Sequence, residues 1–280
     1  MQTSLQDKNT RLKKFLKAFD RLAVALSGGV DSGLLLAEAH AVLGNRLIAV
    51  TARSPIHPEQ EVADASRICS SLGVAHLIVD SDEIHRADFL ANTPERCYIC
   101  KKNVFGLLFS VIRAKGYTHL AHGANADDLG DYRPGLRAAR ELGVVAPLIH
   151  AGYTKDDIRR AARQRGLSVW DKPAMACIAT RFPYGTPISA ATVEQVKRAE
   201  QGLADAGLVG CRVRHHGDVA RIEVPVEQLA MLVADPLRSR IVDQFRTIGF
   251  LHISLDLEGY VSGSMNRSLD DNAGPDRPRR

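Results

Sequence analysis

Cysteine is scarce in this chain, five residues in 280, and that count excludes a disulfide-built scaffold. Long apolar runs are missing too. No stretch approaches the ~18 residues that span a bilayer, and the charged, amphipathic opening (1–20) lacks the apolar core of a secretory leader. These absences point to a reducing cytoplasm and to no membrane partner. Charge of one sign is in short supply: 37 Lys and Arg against 32 Asp and Glu leave a net +5, spread along the chain without a basic block in its body. Such a surplus suits an anionic small substrate at least as well as nucleic acid, and no nucleic-acid partner is expected. The ten histidines have no metal-site spacing, and no internal repeat is visible. No lysine follows Gly28-Gly29, which excludes the G-x-x-x-x-G-K-[ST] loop of kinases and GTPases.

What is present reads as α/β. Residues 4–20 carry apolar side chains at helical spacing. Short apolar runs at 22–26, 47–52, 75–80 and 118–122 then alternate with helical patterns near 33–43, 59–72 and 102–115. That alternation predicts a doubly wound parallel sheet with helices on both faces. Thr154 with Asp157 forms a capping box for a further helix. Composition shifts after Trp170, itself read as a packing residue, and 171–188 reads as an ordered loop. Beyond it come a helix (189–207), a hairpin (211–216 and 219–225) over Gly217-Asp218, a helix (227–248) and a strand (250–257). The expected division is 1–175, a smaller α+β domain at 176–263, and a frayed polar tail at 264–280.

Three constellations carry chemistry. Ser27-Gly28-Gly29-Val30-Asp31-Ser32 turns from a strand into a helix, which aims backbone N–H groups and the helix dipole at an anion. Asp31 there is either a metal ligand or a partner of the dipole. Asn125, Asp127 and Asp128 follow the fourth strand at the same sheet edge. They read as Mg²⁺ ligands beside a triphosphate or as an Asx-turn, with Asp131, Arg133, Pro134 and Gly135 able to complete that wall. Cys97 and Cys100 form a C-x-x-C flanked by cations that favour the thiolate. Cys177 lies in the 171–188 loop and faces the nucleotide if that loop folds back. Three thiolates could hold a [4Fe–4S] cluster with one open iron, a zinc site, or act as a simple redox pair plus one. Cys69 and Cys211 read as core fillers, and His122 as a structural residue close to the loops.

The S-G-G-x-D-S stretch resembles the pyrophosphate-binding loop of the ATP pyrophosphatase (PP-loop) superfamily. With SPIHPEQE (54–61), ERCYICK (95–101), GANADDLGDYRPGLRAARELG (123–143), DKPAMACIATRFPYG (171–185), RVRHHGDVARIEV (212–224) and GYVSGSMN (259–266), the chain resembles the LarE family. That resemblance implies a PP-loop ATP-binding domain at 1–175 and a substrate and oligomerisation domain at 176–263. It implies ATP-dependent adenylation of a pyridinium dicarboxylate mononucleotide, pyrophosphate release, and sulfur insertion to give thiocarboxylates for the nickel-pincer nucleotide. Ser27, Gly28, Gly29, Asp31, Ser32, Asn125, Asp127 and Asp128 would bind ATP and Mg²⁺. Cys97, Cys100 and Cys177 would hold a sulfur-carrying [4Fe–4S] cluster, the alternative being Cys177 sacrificing its own sulfur. Arg212 and Arg214 would bind substrate phosphate, Glu200 and Glu223 a divalent metal, and Arg181 would meet substrate near Cys177. A homo-oligomer and a downstream nickel-inserting protein are implied as partners. The rival within the fold is a tRNA thiolase. Two departures stand out: Thr180 where Ser is expected, and Val261 where Arg is expected in GYxSGS.

Overall fold

The computed structural model describes residues 4–130, 134–173, 176–261 and 263–267. In chain order they form α1 (Leu5–Leu16), β1 (Leu22–Ala25), α2 (Val30–Leu43), β2 (Leu47–Arg53), α3 (Glu59–Leu72), β3 (His76–Asp80), α4 (Ala87–Leu90), α5 (Arg96–Ala114), β4 (Leu120–His122), α6 (Pro134–Glu141), α7 (Pro147–Ala151), α8 (Lys155–Gln164), α9 (Ala190–Asp205), β5 (Arg212–His216), β6 (Val219–Glu223), α10 (Leu229–Val233), α11 (Leu237–Ile248) and β7 (His252–Leu255). Two compact units result. The described parts of Met1–Glu83 and Glu95–Met175 make the first, and those of Ile84–Pro94 and Ala176–Arg280 the second. No helix among the described residues is long and apolar enough to cross a membrane.

In the first unit the strands lie in the order β3-β2-β1-β4, all parallel. Period-2 alternation sorts their side chains to two buried faces, as a parallel sheet demands. Leu22, Val24, Leu47 and Ala49 pack with Leu12 of α1, Leu34 of α2 and Ile158 of α8. Ala23, Ile48, Val50 and Leu120 pack against Phe105, Leu108 and Ile112 of α5. Helices therefore cover both faces, the doubly wound α/β arrangement. Trp170 packs, partly buried, against the first of these cores. The strand order reverses between β1 and β4, where Ala25 pairs with His122. A ligand crevice forms outside the carboxyl ends of strands at such a point.

The second unit is a three-stranded mixed sheet, β5-β6-β7, antiparallel then parallel. Its core joins Ala199 and Leu203 of α9, Val213, Ala220 and Ile222 of the sheet, and Phe245 of α11. Residues 84–94, which the sequence places with the first domain, belong here. Buried Asn92 donates from its Nδ2 to the carbonyls of Pro183 (2.8 Å) and Thr186 (2.7 Å), and its own carbonyl accepts from Gly185 N.

Three boundaries differ from the sequence expectation. The helix expected near 102–115 starts at Arg96; its first turn lacks an apolar stripe, so periodicity does not reveal it. The helix expected over 227–248 breaks into α10 and α11 around Pro236, whose ring and missing N–H end a helical run. Ser264–Asn266 forms a 3-10 turn where a frayed tail is expected. Asp131 and Arg133 lie outside the described residues.

Candidate active site

β1 hands over to α2 through Ser27, Gly28 and Gly29. Gly28 sits at φ +72°, and a Cβ there would lie 2.2 Å from the Glu61 carbonyl oxygen, so no side chain fits. Gly29 is ordinary by comparison, at φ −90°, with only Ser27 Oγ within reach of a Cβ, at 3.5 Å. Ser27 N donates to Ser32 Oγ (3.2 Å), the two hydroxyls lie 3.1 Å apart, and Ser32 Oγ donates to Gly29 O (3.3 Å). Among the described residues no side chain caps the first turn of α2. Its N–H groups stay directed outward with the positive end of the helix dipole behind them, an anion-binding arrangement.

The chain leaving β4 forms the second wall. Gly123 passes so close that a Cβ would sit 2.6 Å from Ser32 N. Buried Asn125 donates from Nδ2 to Asp31 Oδ1 (3.1 Å), and Asp31 also pairs with the Lys155 ammonium. Asp127 Oδ2 accepts Lys155 N (2.8 Å), Asp127 N donates to Asn125 Oδ1 (3.0 Å), and Asp128 Oδ2 accepts Asn125 N (3.0 Å). The Asx-turn is thus real, and it engages one oxygen of each carboxylate, Asp128 within the turn and Asp127 on Lys155 N. These oxygens are the right donors for Mg²⁺. Among the described residues no three ligating side chains converge, so the fit is to an ion held by one or two carboxylates plus phosphate oxygens, the usual Mg²⁺ pattern. Lys155 escapes sequence reasoning; its only signal is its place directly after the cap Thr154.

SPIHPEQE lies along this crevice. Burial pushes Glu61 up to about 7, against the opposing charges of Lys172 and Lys101. Burial, then the Lys101 charge, holds His57 and His122 at about 4. His57 Nδ1 lies 3.5 Å from Glu61 Oε2, and both rings are neutral at pH 7. Lys101 stands four residues after Cys97 on α5, so the C-x-x-C helix is electrostatically coupled to the nucleotide wall. Lys172 donates to Gly28 O (3.3 Å) and pairs with Asp64 of α3.

Cys97 and Cys100 are one turn apart on α5, the first exposed and the second half-buried, with Cys100 Sγ 4.0 Å from buried Glu83 Oε1. Two thiols at i and i+3 fit a shared metal or cluster as a chelating pair. Among the described residues, Cys177 included, the two thiols belong to no group of three ligating side chains. Cys69 and Cys211 are buried, and burial pushes both thiols up to about 11, which makes them poor nucleophiles.

In the second unit Cys177 precedes the 3-10 turn Ile178–Arg181, and its carbonyl accepts from Thr180 N (3.0 Å) and Thr180 Oγ1 (2.8 Å). Arg181 is buried beneath it. A fork of Nε and Nη2 holds the Glu200 carboxylate (2.8 and 2.9 Å), while Nη1 donates to Ala176 O, Cys177 O and Thr180 Oγ1. Glu200 also accepts Val213 N (3.0 Å). Arg214 donates to Thr180 O (3.0 Å) and Glu223 (2.6 Å), and its buried Nε has no partner among the described residues. Arg221 adds a second donor to Glu223 (3.2 Å). Glu200 and Glu223, offered by the sequence as metal ligands, are therefore engaged with guanidinium groups. Arg212, two positions before Arg214 on β5, lies 5.1 Å over the Tyr260 ring; burial, then the charge of Arg181, lowers its pKa. This cationic turn suits a phosphate or carboxylate.

The chain matches the asparagine synthase family over residues 11–129. It is 41% identical over 265 residues to the uncharacterized protein slr1717 of Synechocystis sp., covering 95% of this chain and 99% of that one. It is 35% identical over 267 residues to the pyridinium-3,5-bisthiocarboxylic acid mononucleotide synthase of Lactiplantibacillus plantarum, covering 95% and 96%. The tRNA-specific 2-thiouridylase MnmA of Rickettsia felis is 30% identical over 190 residues, only 54% of this chain and 52% of that protein.

Proposed function

Because this chain belongs to the LarE family, the pyridinium-3,5-bisthiocarboxylic acid mononucleotide synthases, we propose that it adenylates both carboxylates of a pyridinium dicarboxylate mononucleotide and exchanges an oxygen of each for sulfur. It is an ATP-dependent sulfurtransferase. The observation that carries the proposal is the uncapped first turn of α2 behind a glycine at φ +72°. A substrate carboxylate oxygen attacks the α-phosphorus of ATP, and pyrophosphate leaves with the bonding pair. The N–H groups of Gly29, Val30 and Asp31 and the dipole of α2 receive its developing charge. Asp31, with Asp127 or Asp128, would hold Mg²⁺, which would supply positive charge against the charge developing on the phosphates. A sulfur nucleophile then adds to the acyl adenylate, AMP departs with the carboxyl oxygen, and a thiocarboxylate remains.

Arg212 and Arg214 bind the substrate phosphate in this reading, which the unpartnered buried Nε of Arg214 supports. Arg181 positions the turn that carries Cys177, and Glu200 and Glu223 hold the arginines in place. Cys97, Cys100 and Cys177 would hold a [4Fe–4S] cluster, which supplies a sulfide on its open iron when bound; the chelating spacing of the first two supports it. The product passes to a nickel-inserting protein. Exposed Val209, Leu251 and Leu257 suit burial in a homo-oligomer.

The test is anaerobic incubation of the purified chain with ATP and the pyridinium dicarboxylate nucleotide. Pyrophosphate release, a thiocarboxylate product and about four irons per chain are expected. Absence of substrate-dependent pyrophosphate would overturn the enzymatic reading. Turnover without iron, with Cys177 lighter by hydrogen sulfide, would replace the cluster by the sacrificial cysteine. Retention of labelled tRNA at moderate salt would favour a tRNA thiolase.

A further inference from the structure

Lys172 has no part in the chemistry above, yet its ammonium is placed with care. Its side chain is 16% exposed and pairs with Asp64, itself 5% exposed. A second donor reaches Gly28 O at 3.3 Å. Asp64 is a fixed anchor, since Gln60 Nε2 (2.8 Å) and Arg67 also donate to it. Buried ion pairs of this kind add little stability compared with an apolar pair of the same volume, so folding energy alone does not account for the arrangement.

Geometry supplies an account. A trans peptide is planar and its C=O and N–H point in opposite directions. An ammonium that fixes Gly28 O therefore also fixes the direction of the Gly29 N–H, on the other edge of the same plane. Glycine on both sides of that plane leaves little else to hold it, because neither residue has a Cβ to restrict rotation. The first-turn N–H groups that follow are oriented by α2; the Gly28–Gly29 plane is not yet helical and needs a separate restraint.

Resting on the phosphate-loop reading given above, we infer that Lys172 is a positioning residue: braced by Asp64, it holds the Gly28–Gly29 peptide so that the Gly29 N–H points at pyrophosphate. In its absence the plane loses that restraint, and a rotated carbonyl would face the anion with its negative end.

The full-length chain is compared with Lys172→Met, Lys172→Arg and Asp64→Asn by calorimetry, using inorganic pyrophosphate and AMP as separate probes. Losing one oriented donor to an anion is expected to weaken pyrophosphate binding about tenfold in Lys172→Met, while AMP binding changes by less than about twofold. Lys172→Arg should recover part of the loss, and Asp64→Asn should show the same selectivity on a smaller scale. Equal loss of both ligands would mark Lys172 as merely structural and overturn the inference, as would unchanged pyrophosphate affinity. Should Lys172→Met fail to fold, the selectivity of Asp64→Asn and Lys172→Arg decides in the same way. Failure of the unaltered chain to bind pyrophosphate would sink the phosphate-loop reading itself; tight binding that Lys172→Met retains sinks only the role of the lysine.

Discussion

Two adjacent glycines carry unequal constraints. Gly28 combines φ +72° with a Glu61 carbonyl oxygen 2.2 Å from where a Cβ would stand, whereas Gly29 has ordinary dihedrals and open space. Gly28→Ala should lower stability by at least ~1–3 kcal/mol through the left-handed backbone alone and abolish pyrophosphate release. Gly29→Ala should leave the thermal midpoint nearly unchanged; equal losses in the two variants, read by calorimetric melting, would refute the asymmetry. Both glycines are legible in the sequence, but their ranking is not. It depends on a carbonyl of α3 that only the folded chain brings against the loop. The same holds for Arg181 and Arg214: their residue types are visible, while their pairing with Glu200 and Glu223 is a product of tertiary packing.

Local signals fared best where one element contains the whole interaction. The capping box of α8 is present as read: Thr154 Oγ1 donates to Asp157 Oδ2 (2.8 Å) and accepts Asp157 N (3.3 Å). The same first turn offers Lys155 N to Asp127 and the Lys155 ammonium to Asp31, so the cap also steadies the nucleotide wall. Thr154→Ala should cost about 1 kcal/mol, a fall of about 2–4 °C in melting temperature, readable by circular dichroism; no shift would show that the hydroxyl is idle. The inner strands β1 and β2 of the first sheet were equally legible, because burial on both faces makes them continuous apolar runs. The start of α5 was not, since Arg96 to Lys101 carry thiols and charge where a core-facing stripe would announce a helix.

At the level of the whole molecule, buried imidazoles set the response to acid. His57 and His122 titrate at about 4 in the folded chain against 6.5 when unfolded, so between those values the unfolded state binds more protons and stability is lost as pH is lowered. His76, His215 and His216 are lowered by burial in the same direction. Glu61 opposes them: folded, it keeps its proton up to about 7, so its contribution fades as pH rises from 4.5. Two protons against one leave a net loss that approaches about 1.4 kcal/mol per pH unit on acidification through the middle of that window, near pH 5. Glu61→Gln should steepen that slope by about one proton, measured as urea midpoints across the range; an unchanged slope would place Glu61 in an ordinary solvated environment.

The excursion of residues 84–94 gives the backbone three crossings between its units, at Glu83–Ile84, Pro94–Glu95 and Met175–Ala176. A single scission at Met175–Ala176 therefore keeps the whole first unit on one fragment but strips residues 84–94 from the second. A fragment ending at Met175 would carry Asn92 away from its carbonyl partners, and one beginning at Ala176 would leave the carbonyls of Pro183 and Thr186 without their amide donor. On the ribosome, residues 84–94 emerge long before the rest of their own unit and must wait for the chain from Ala176 onward, so the second fold is the one that closes last.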